Sequence, residues 1–199
     1  MRILILAGGE GSRLKPLTDY TPKCMVSVHG KPFIQHLLNG LKRHDIVLSL
    51  KKDDTTTNNW CKENKYLVEY VYEPSPLGTG GALLHAKPFL ERNKHFAVFN
   101  GDTFMDINPA NYLNAVSSDV GVFISEDKFD RKIKNSGFYI FKRSFWKRVG
   151  SIDDYKPGVS LEDLIENTPK TVIRIANSFL DIGTHESLKY AKSTNYIPK

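Results

Sequence analysis

The stretch Leu6-Ala-Gly-Gly-Glu-Gly-Ser-Arg-Leu-Lys-Pro-Leu-Thr-Asp-Tyr-Thr-Pro-Lys23 limits what this chain can fold into more than any other. It follows Arg2-Ile-Leu-Ile-Leu6, an apolar run of the length of a buried strand. Gly8, Gly9 and Gly11 then interrupt any regular element and let backbone N–H groups approach a ligand. Arg13 and Lys23 flank the loop with permanent positive charge, and Pro16 and Pro22 stiffen the path between them. Strand, loop and cations together describe a grip for a polyphosphate. A Walker-type loop needs Gly-Lys-Ser/Thr, whereas Gly11 is followed by Ser12-Arg13. A dinucleotide fingerprint needs a third glycine where Leu14 stands. The plain alternative is a glycine-rich turn with no ligand.

Beyond the loop, helical and strand periodicities alternate. Residues 32–42 place Phe33, Ile34, Leu37, Leu38 and Leu41 on one helical face, and residues 46–50 and 67–72 read as strands. Residues 51–59 are polar and threonine-rich, which predicts a loop ahead of a short helix near Trp60. The strand at 67–72 empties into a second glycine loop, Glu73-Pro-Ser-Pro-Leu-Gly-Thr-Gly-Gly-Ala82, and a helix carrying Leu83, Leu84 and Ala86. A strand over 96–99 ends at Asn100-Gly-Asp-Thr103, and Asn108 or Asn111 opens a short helix through Tyr112 and Leu113. Strands follow at 120–124 and 137–141, then a helix from Leu161 capped by Ser160. Short strands at 172–175 and 179–180 and a helix over 186–192 close the sequence. This alternation predicts an α/β fold over residues 1–199: a single-domain, Rossmann-like three-layer sandwich with a mostly parallel mixed sheet. Ligands of such folds sit outside the carboxyl ends of the strands, where both glycine loops and the Asn-Gly-Asp turn are expected.

Charge narrows the partners. The net charge of +6, from 28 Lys+Arg against 22 Asp+Glu, suits nucleic acid or an enzyme whose substrates are all phosphorylated. Much of the excess lies at Lys128, Arg131, Lys132, Lys134, Lys142, Arg143, Lys147 and Arg148, a run whose default is a solvated basic face. No apolar run approaches the roughly 20 residues of a membrane span, and a signal-peptide layout is lacking. Cys24 and Cys61 stand alone, which points to a reducing cytoplasm, and the six histidines form no H-E-x-x-H cluster.

The unbroken run from Leu6 to Lys23 resembles the signature of the sugar-1-phosphate nucleotidylyltransferases: a glycine-rich loop, then Gly-Ser/Thr-Arg-Leu, Pro-Leu-Thr and Pro-Lys. The resemblance extends from Arg2 to about Lys192 and implies the nucleotide-diphospho-sugar transferase type of fold. It implies an enzyme joining an NTP to a sugar 1-phosphate with release of pyrophosphate, without nucleic acid or membrane, and leaves a homo-oligomer open. By resemblance, Arg13 holds the leaving pyrophosphate and Lys23 bridges the reacting phosphates. Leu6, Ala7, Gly8, Gly9, Gly11 and Ser12, with Glu73, Leu77, Gly78 and Thr79, bind the nucleotide. Gly78 and Gly80 would let a flat ring lie against backbone, and Leu77 would supply an apolar wall. Asp102, in Asn-Gly-Asp-Thr, and Asp181, in Phe-Leu-Asp-Ile-Gly-Thr184, match positions holding Mg2+; two carboxylates plus phosphate oxygens suffice for that ion. A turn or cap aspartate is the plain alternative for each.

Glu73 matches the base-reading position, and an ionised carboxylate accepts the N1–H and N2–H2 of guanine, so GTP is expected. Gly137, in Asn135-Ser-Gly-Phe-Tyr139, and Glu162, in Ser160-Leu-Glu-Asp163, resemble residues bordering the sugar. Pro-Leu-Gly-Thr-Gly-Gly-Ala and the small size are nearest to the guanylyltransferases acting on D-glycero-D-manno-heptose 1-phosphate. Mannose-1-phosphate guanylyltransferases come next, then uridylyl or thymidylyl enzymes. A nucleotide- or RNA-binding module without turnover is the rival from another class. One departure stands out: the family carries a longer segment, with a sugar-facing Glu-Lys pair, where this chain has only residues 125–134.

Overall fold

Ile3 and Ile5 of the first strand point into one core and Leu4 into the other, all three without solvent exposure. A strand buried on both faces belongs in the middle of a sheet. In the computed structural model, which describes residues 1–198, that strand is β1, Arg2–Leu6. After it come β2 (Ser27–Val28), β3 (Lys31–Pro32), α1 (Phe33–Leu41), β4 (Asp45–Lys51), α2 (Thr55–Glu63), β5 (Val68–Glu73), α3 (Gly78–His85) and α4 (Lys87–Leu90). The second half holds β6 (His95–Asn100), β7 (Thr103–Phe104), β8 (Val120–Glu126), β9 (Ile133–Lys142), α5 (Leu161–Leu164), β10 (Lys170–Arg174), β11 (Leu180–Asp181) and α6 (His185–Ser193).

Seven strands form the main sheet in the order β10-β8-β9-β6-β1-β4-β5. β9 runs antiparallel to both its neighbours, and every other pairing in the sheet is parallel. Helix α1, with Cys61 of α2 and Leu188 and Ala191 of α6, covers the Ile3/Ile5 face. α3, α4 and α5 cover the Leu4 face through Leu83, Leu84, Leu90, Leu161 and Leu164. This is the expected three-layer α/β sandwich with a mostly parallel mixed sheet. From β1 the chain steps outward through β4 to β5, then returns to the opposite side of β1 as β6. The strand order therefore reverses between β1 and β6, and a crevice opens at their carboxyl ends.

Two local expectations change. Residues 51–59 are not a loop throughout: α2 begins at Thr55, because buried Asp54 accepts the Thr57 amide (2.9 Å) and hydroxyl (2.7 Å) as a helix cap. The second glycine loop is likewise helical from Gly78 onward. The basic run does not form one uniform face, since Arg131 pairs with Glu126, Lys134 with Asp127 and Asp130, and Arg148 with Asp119. Residues 125–134 are the tip of the β8–β9 hairpin: Ser125 pairs with Lys134 and Glu126 with Ile133, and the turn over 127–132 is closed by the amide of Arg131 on the Asp127 carbonyl (2.8 Å). No helix among the described residues is long and apolar enough to cross a membrane.

Candidate active site

The first glycine loop leaves β1 at its carboxyl end and turns at Gly11, whose φ of 68° is left-handed. A β-carbon there would also stand 2.9 Å from Thr18 Cγ2 and 3.2 Å from Lys23 Cβ, so glycine is required both for the turn and for the returning chain. Thr18 Oγ1 donates to the Gly11 carbonyl at 2.8 Å and ties that return down. Lys23 is thereby brought back beside the loop it follows, and its ammonium pairs with Asp102. Asp102 lies just past β6, where the Gly101 amide donates to the Leu6 carbonyl at 3.0 Å and locks the two strand ends together.

β7 and β11 then pair antiparallel, with Asp181 opposite Thr103, and the Ile182 amide donates to the Asp102 carbonyl at 2.9 Å. This ladder sets Asp181 beside Asp102 although 79 residues separate Lys23 from Asp102 alone. The Gly183 amide donates to Asp181 Oδ1. A β-carbon on Gly183 would stand 2.5 Å from Asp181 Oδ1, 2.9 Å from Arg13 Nη2 and 3.2 Å from Lys23 Nζ. Two cations and an acid thus meet around one turn. Burial first, and the Asp102 charge second, push the Asp181 carboxyl up from the ordinary carboxylate range to about 6, against the pull of Lys23 and Arg13. Two adjacent carboxylates, one of them raised by burial and by its neighbour's charge, are a fit for a divalent cation. The donors are all oxygen and only two in number, and among the described residues no group of three or more His, Cys, Asp or Glu side chains is placed to bind metal.

A cleft of about 440 Å³ runs from this cluster along the strand ends. Leu6, Ala7, Gly8, Gly9, Gly11, Ser12 and Arg13 form one wall, with Lys23, Asn100, Gly101 and Asp102 at the base. Glu73, Leu77, Gly78 and Thr79 form the other wall. All the residues expected to bind nucleotide therefore border one space. Gly78 and Gly80 have a packing reason as well: β-carbons on them would overlap the chain at residues 158–160. These glycines allow α3 to pack on that segment, fixed further by Thr79 Oγ1, which accepts the Leu161 amide at 2.8 Å.

Glu73 is buried, and Ser49 Oγ donates to its Oε1 at 2.7 Å. A β-carbon on Gly8 would overlap that carboxylate, so Gly8 makes room for Glu73 as well as for a ligand. Desolvation raises the Glu73 carboxyl, with the Ser49 hydroxyl and the Leu77 amide working the other way. Glu73 and Gly8 also border a second cleft of about 430 Å³ that Lys51, Lys52, Tyr20 and Asp54 help to line. Gly137 and Glu162 do not line the main cleft, but they adjoin it. A β-carbon on Gly137 would stand 2.6 Å from Asn100 Nδ2, and Asn135 links the Gly137 amide (3.1 Å) to Glu162 Oε1 (2.8 Å).

Sequence reasoning missed Ser49, Gly183, Asn135 and Tyr139. A serine inside the apolar run at 46–50 was the available signal for the first, and Asn135 and Gly183 stood inside motifs already singled out. Cys24 lines the cleft next to Lys23, but burial raises its thiol to about 12, so it is inert there.

Fold and site together define a nucleotidyl-transfer scaffold. Residues 2–128 match the Nucleotidyl transferase family, and the chain belongs to that family. The D-glycero-alpha-D-manno-heptose 1-phosphate guanylyltransferase of Campylobacter jejuni is 33% identical over 219 residues, covering 94% of this chain and 96% of that protein. The bifunctional protein GlmU of Methanococcus maripaludis is 36% identical over 122 residues, 59% of this chain and 29% of that protein. The chain spans 27–42% of the length of the Methanococcus maripaludis and Methanococcus vannielii relatives of this kind. The crystal structure of HddC from Yersinia pseudotuberculosis complexed with GMP-PN superposes with a TM-score of 0.78 at 27% identity, covering 96% of this chain and 98% of that one.

Proposed function

We propose that the chain transfers a nucleotidyl group from an NTP to a sugar 1-phosphate, giving an NDP-sugar and pyrophosphate, with GTP and a heptose 1-phosphate as its preferred pair. The observation that carries this reading is the meeting of Arg13, Lys23 and Asp181 around Gly183, with Asp102 paired to Lys23. Two cations and two acids gathered at the mouth of a glycine loop suit a reaction between two phosphates. An oxygen of the sugar phosphate attacks the α-phosphorus in line while the bond to the β-phosphate oxygen breaks and pyrophosphate leaves. No covalent enzyme intermediate is needed, so the protein's work is positioning and charge neutralisation. Lys23 steadies the reacting phosphates and Arg13 holds the departing ones through its bidentate fork. Asp102 and Asp181 would hold Mg2+, which would lower the charge repulsion between the two phosphates.

Support for guanine comes from Glu73, an acceptor at the cleft wall, and from the two guanine-related relatives, the Campylobacter heptose 1-phosphate enzyme and the GMP-PN complex. Support for the sugar end comes from Glu162 and Gly137, joined to the cleft through Asn135. A binding module without turnover is disfavoured by the paired acids, which a nucleotide sensor does not require. The test is pyrophosphate release with GTP, UTP, dTTP and CTP against a panel of sugar 1-phosphates that includes heptose and mannose. Turnover with one pair at least tenfold above the rest is expected with Mg2+ present. No release with any pair would leave only the binding-module reading.

A further inference from the structure

Among the described residues, Tyr139 carries the one hydroxyl of the fully buried side chains in its core cluster. It is 1% exposed, and the rings packed in the same core are those of Phe96, Phe141, Phe145 and Trp146. A phenylalanine would fill the space equally well, so the hydroxyl needs its own explanation. That hydroxyl donates to Glu162 Oε1 at 2.6 Å. Asn135 Nδ2 donates to the same oxygen at 2.8 Å and also to the Tyr139 oxygen. With the phenol oxygen accepting from Asn135, its single proton is committed to Glu162. Burial and the neighbouring carboxylate both raise the phenol, which keeps it a donor.

We infer that Tyr139 is a positioning residue for the acceptor subsite, holding Glu162 Oε1 so that Oε2 alone is offered to one hydroxyl of the sugar 1-phosphate. This rests on the reading of Glu162 as a sugar-binding residue. Glu162 itself is exposed and sits in the first turn of the short helix α5, and among the described residues these two donors make the hydrogen bonds that hold its carboxylate. An exposed glutamate has several rotamers to lose on binding, and a pre-formed one loses fewer. The geometry thus turns a flexible surface carboxylate into an oriented acceptor. It also sets the subsite's chemistry: an ionised carboxylate cannot donate, so the partner group must carry its own proton.

The experiment uses the full chain with Mg2+, GTP and D-glycero-D-manno-heptose 1-phosphate, or the fastest pair of the substrate panel. Tyr139→Phe, Glu162→Gln and the double variant are compared for KM of each substrate and for kcat. Loss of an ordered hydrogen bond to a charged group is expected to raise the sugar-phosphate KM about tenfold in either single variant. The KM for GTP should stay within about twofold, and the double variant should be no worse than Glu162→Gln, because the two residues act as one unit. A purely structural role would not move the split between the two substrates. An unchanged sugar-phosphate KM in Tyr139→Phe beside a raised one in Glu162→Gln overturns the positioning role and leaves Glu162 as a sugar contact. Unchanged values in both, with turnover intact, remove Glu162 from the sugar site and the inference with it. Should Tyr139→Phe melt far below the parent, Asn135→Ser removes the second donor from the same oxygen, and an unchanged sugar-phosphate KM in it overturns the inference equally.

Discussion

Asp181 pairs with Thr103 across a two-stranded ladder, next in sequence to Asp102, and burial together with the Asp102 charge makes the charge of Asp181 harder to carry. Asp181 therefore holds its proton more tightly in the folded protein than in the unfolded chain. Between the ordinary carboxylate range and about pH 6, its ionisation works against the fold as pH rises. A divalent cation acts in the opposite sense above that window, because it binds the ionised pair and competes with protons. Mg2+ is expected to raise the thermal midpoint clearly above pH 6 and to have little effect a unit or more below it. Asp181→Asn is expected to remove the Mg2+ response at every pH. A response that is flat across pH, or that survives Asp181→Asn, would count against the two aspartates as a metal pair. Arg13 invites a different check. Its Nη2 lies against the Gly183 turn beside Lys23 Nζ, so Arg13→Lys keeps the charge but loses the fork. That variant is expected to lose at least tenfold in kcat/KM for the NTP, and full activity would mean that charge alone suffices.

At the scale of elements, the glycines divide by what fills the space beside them. A β-carbon on Gly80 would overlap the Ser160 carbonyl, whereas one on Gly9 would meet nothing within 4 Å. Gly80→Ala is expected to separate α3 from residues 158–160 and lower the thermal midpoint by several degrees, at about 2–4 °C per kcal/mol for a chain of this size. Gly9→Ala should leave the midpoint unchanged and weaken only NTP binding, since its open side faces the cleft. Equal melting of the two variants would refute the distinction. The sequence alone could not draw it, because both residues read there as loop glycines. Elements carried by long apolar periodicity, such as β1, α1 and β6, were legible to within a residue or two. α2 was not, because Thr55, Thr56, Thr57, Asn58 and Asn59 are weak helix formers and the Asp54 cap with burial of Thr57 and Cys61 overrides them. β7 is two residues long with no periodicity to read, and β11 lies one residue beyond the short strand expected at 179–180, yet their pairing sets Asp181 beside Asp102. Their partnership showed only as two short acidic motifs standing far apart in the chain.

For the molecule as a whole, the cleft collects residues from Leu6 to Gly183, so a nucleotide filling it ties together elements from nearly the whole chain. A ligand that binds only the folded state stabilises it by about 2.7 kcal/mol at a hundredfold excess over its Kd. For 199 residues that corresponds to a rise in thermal midpoint of roughly 5–10 °C. The size of the shift at equal nucleotide concentration then ranks the bases without depending on turnover. Ser49 already occupies Glu73 Oε1, which leaves Oε2 as the better acceptor for a base. Guanine can bring N1–H and N2–H2 to an ionised carboxylate, while uracil and thymine flank their one ring N–H with carbonyls that face the anion with repulsion. Leaving a buried carboxylate without a partner costs about 1–3 kcal/mol or more, enough to separate the nucleotides by several degrees. GTP with Mg2+ is therefore expected to shift the midpoint further than UTP or dTTP. Glu73→Gln should narrow that gap, because its amide supplies a donor to the pyrimidine carbonyls. The Ser49 hydroxyl can accept from the new side chain, so the variant should keep its fold. Equal shifts with GTP and UTP in the parent, or an unaltered gap in Glu73→Gln, would show that the base is read elsewhere along the cleft.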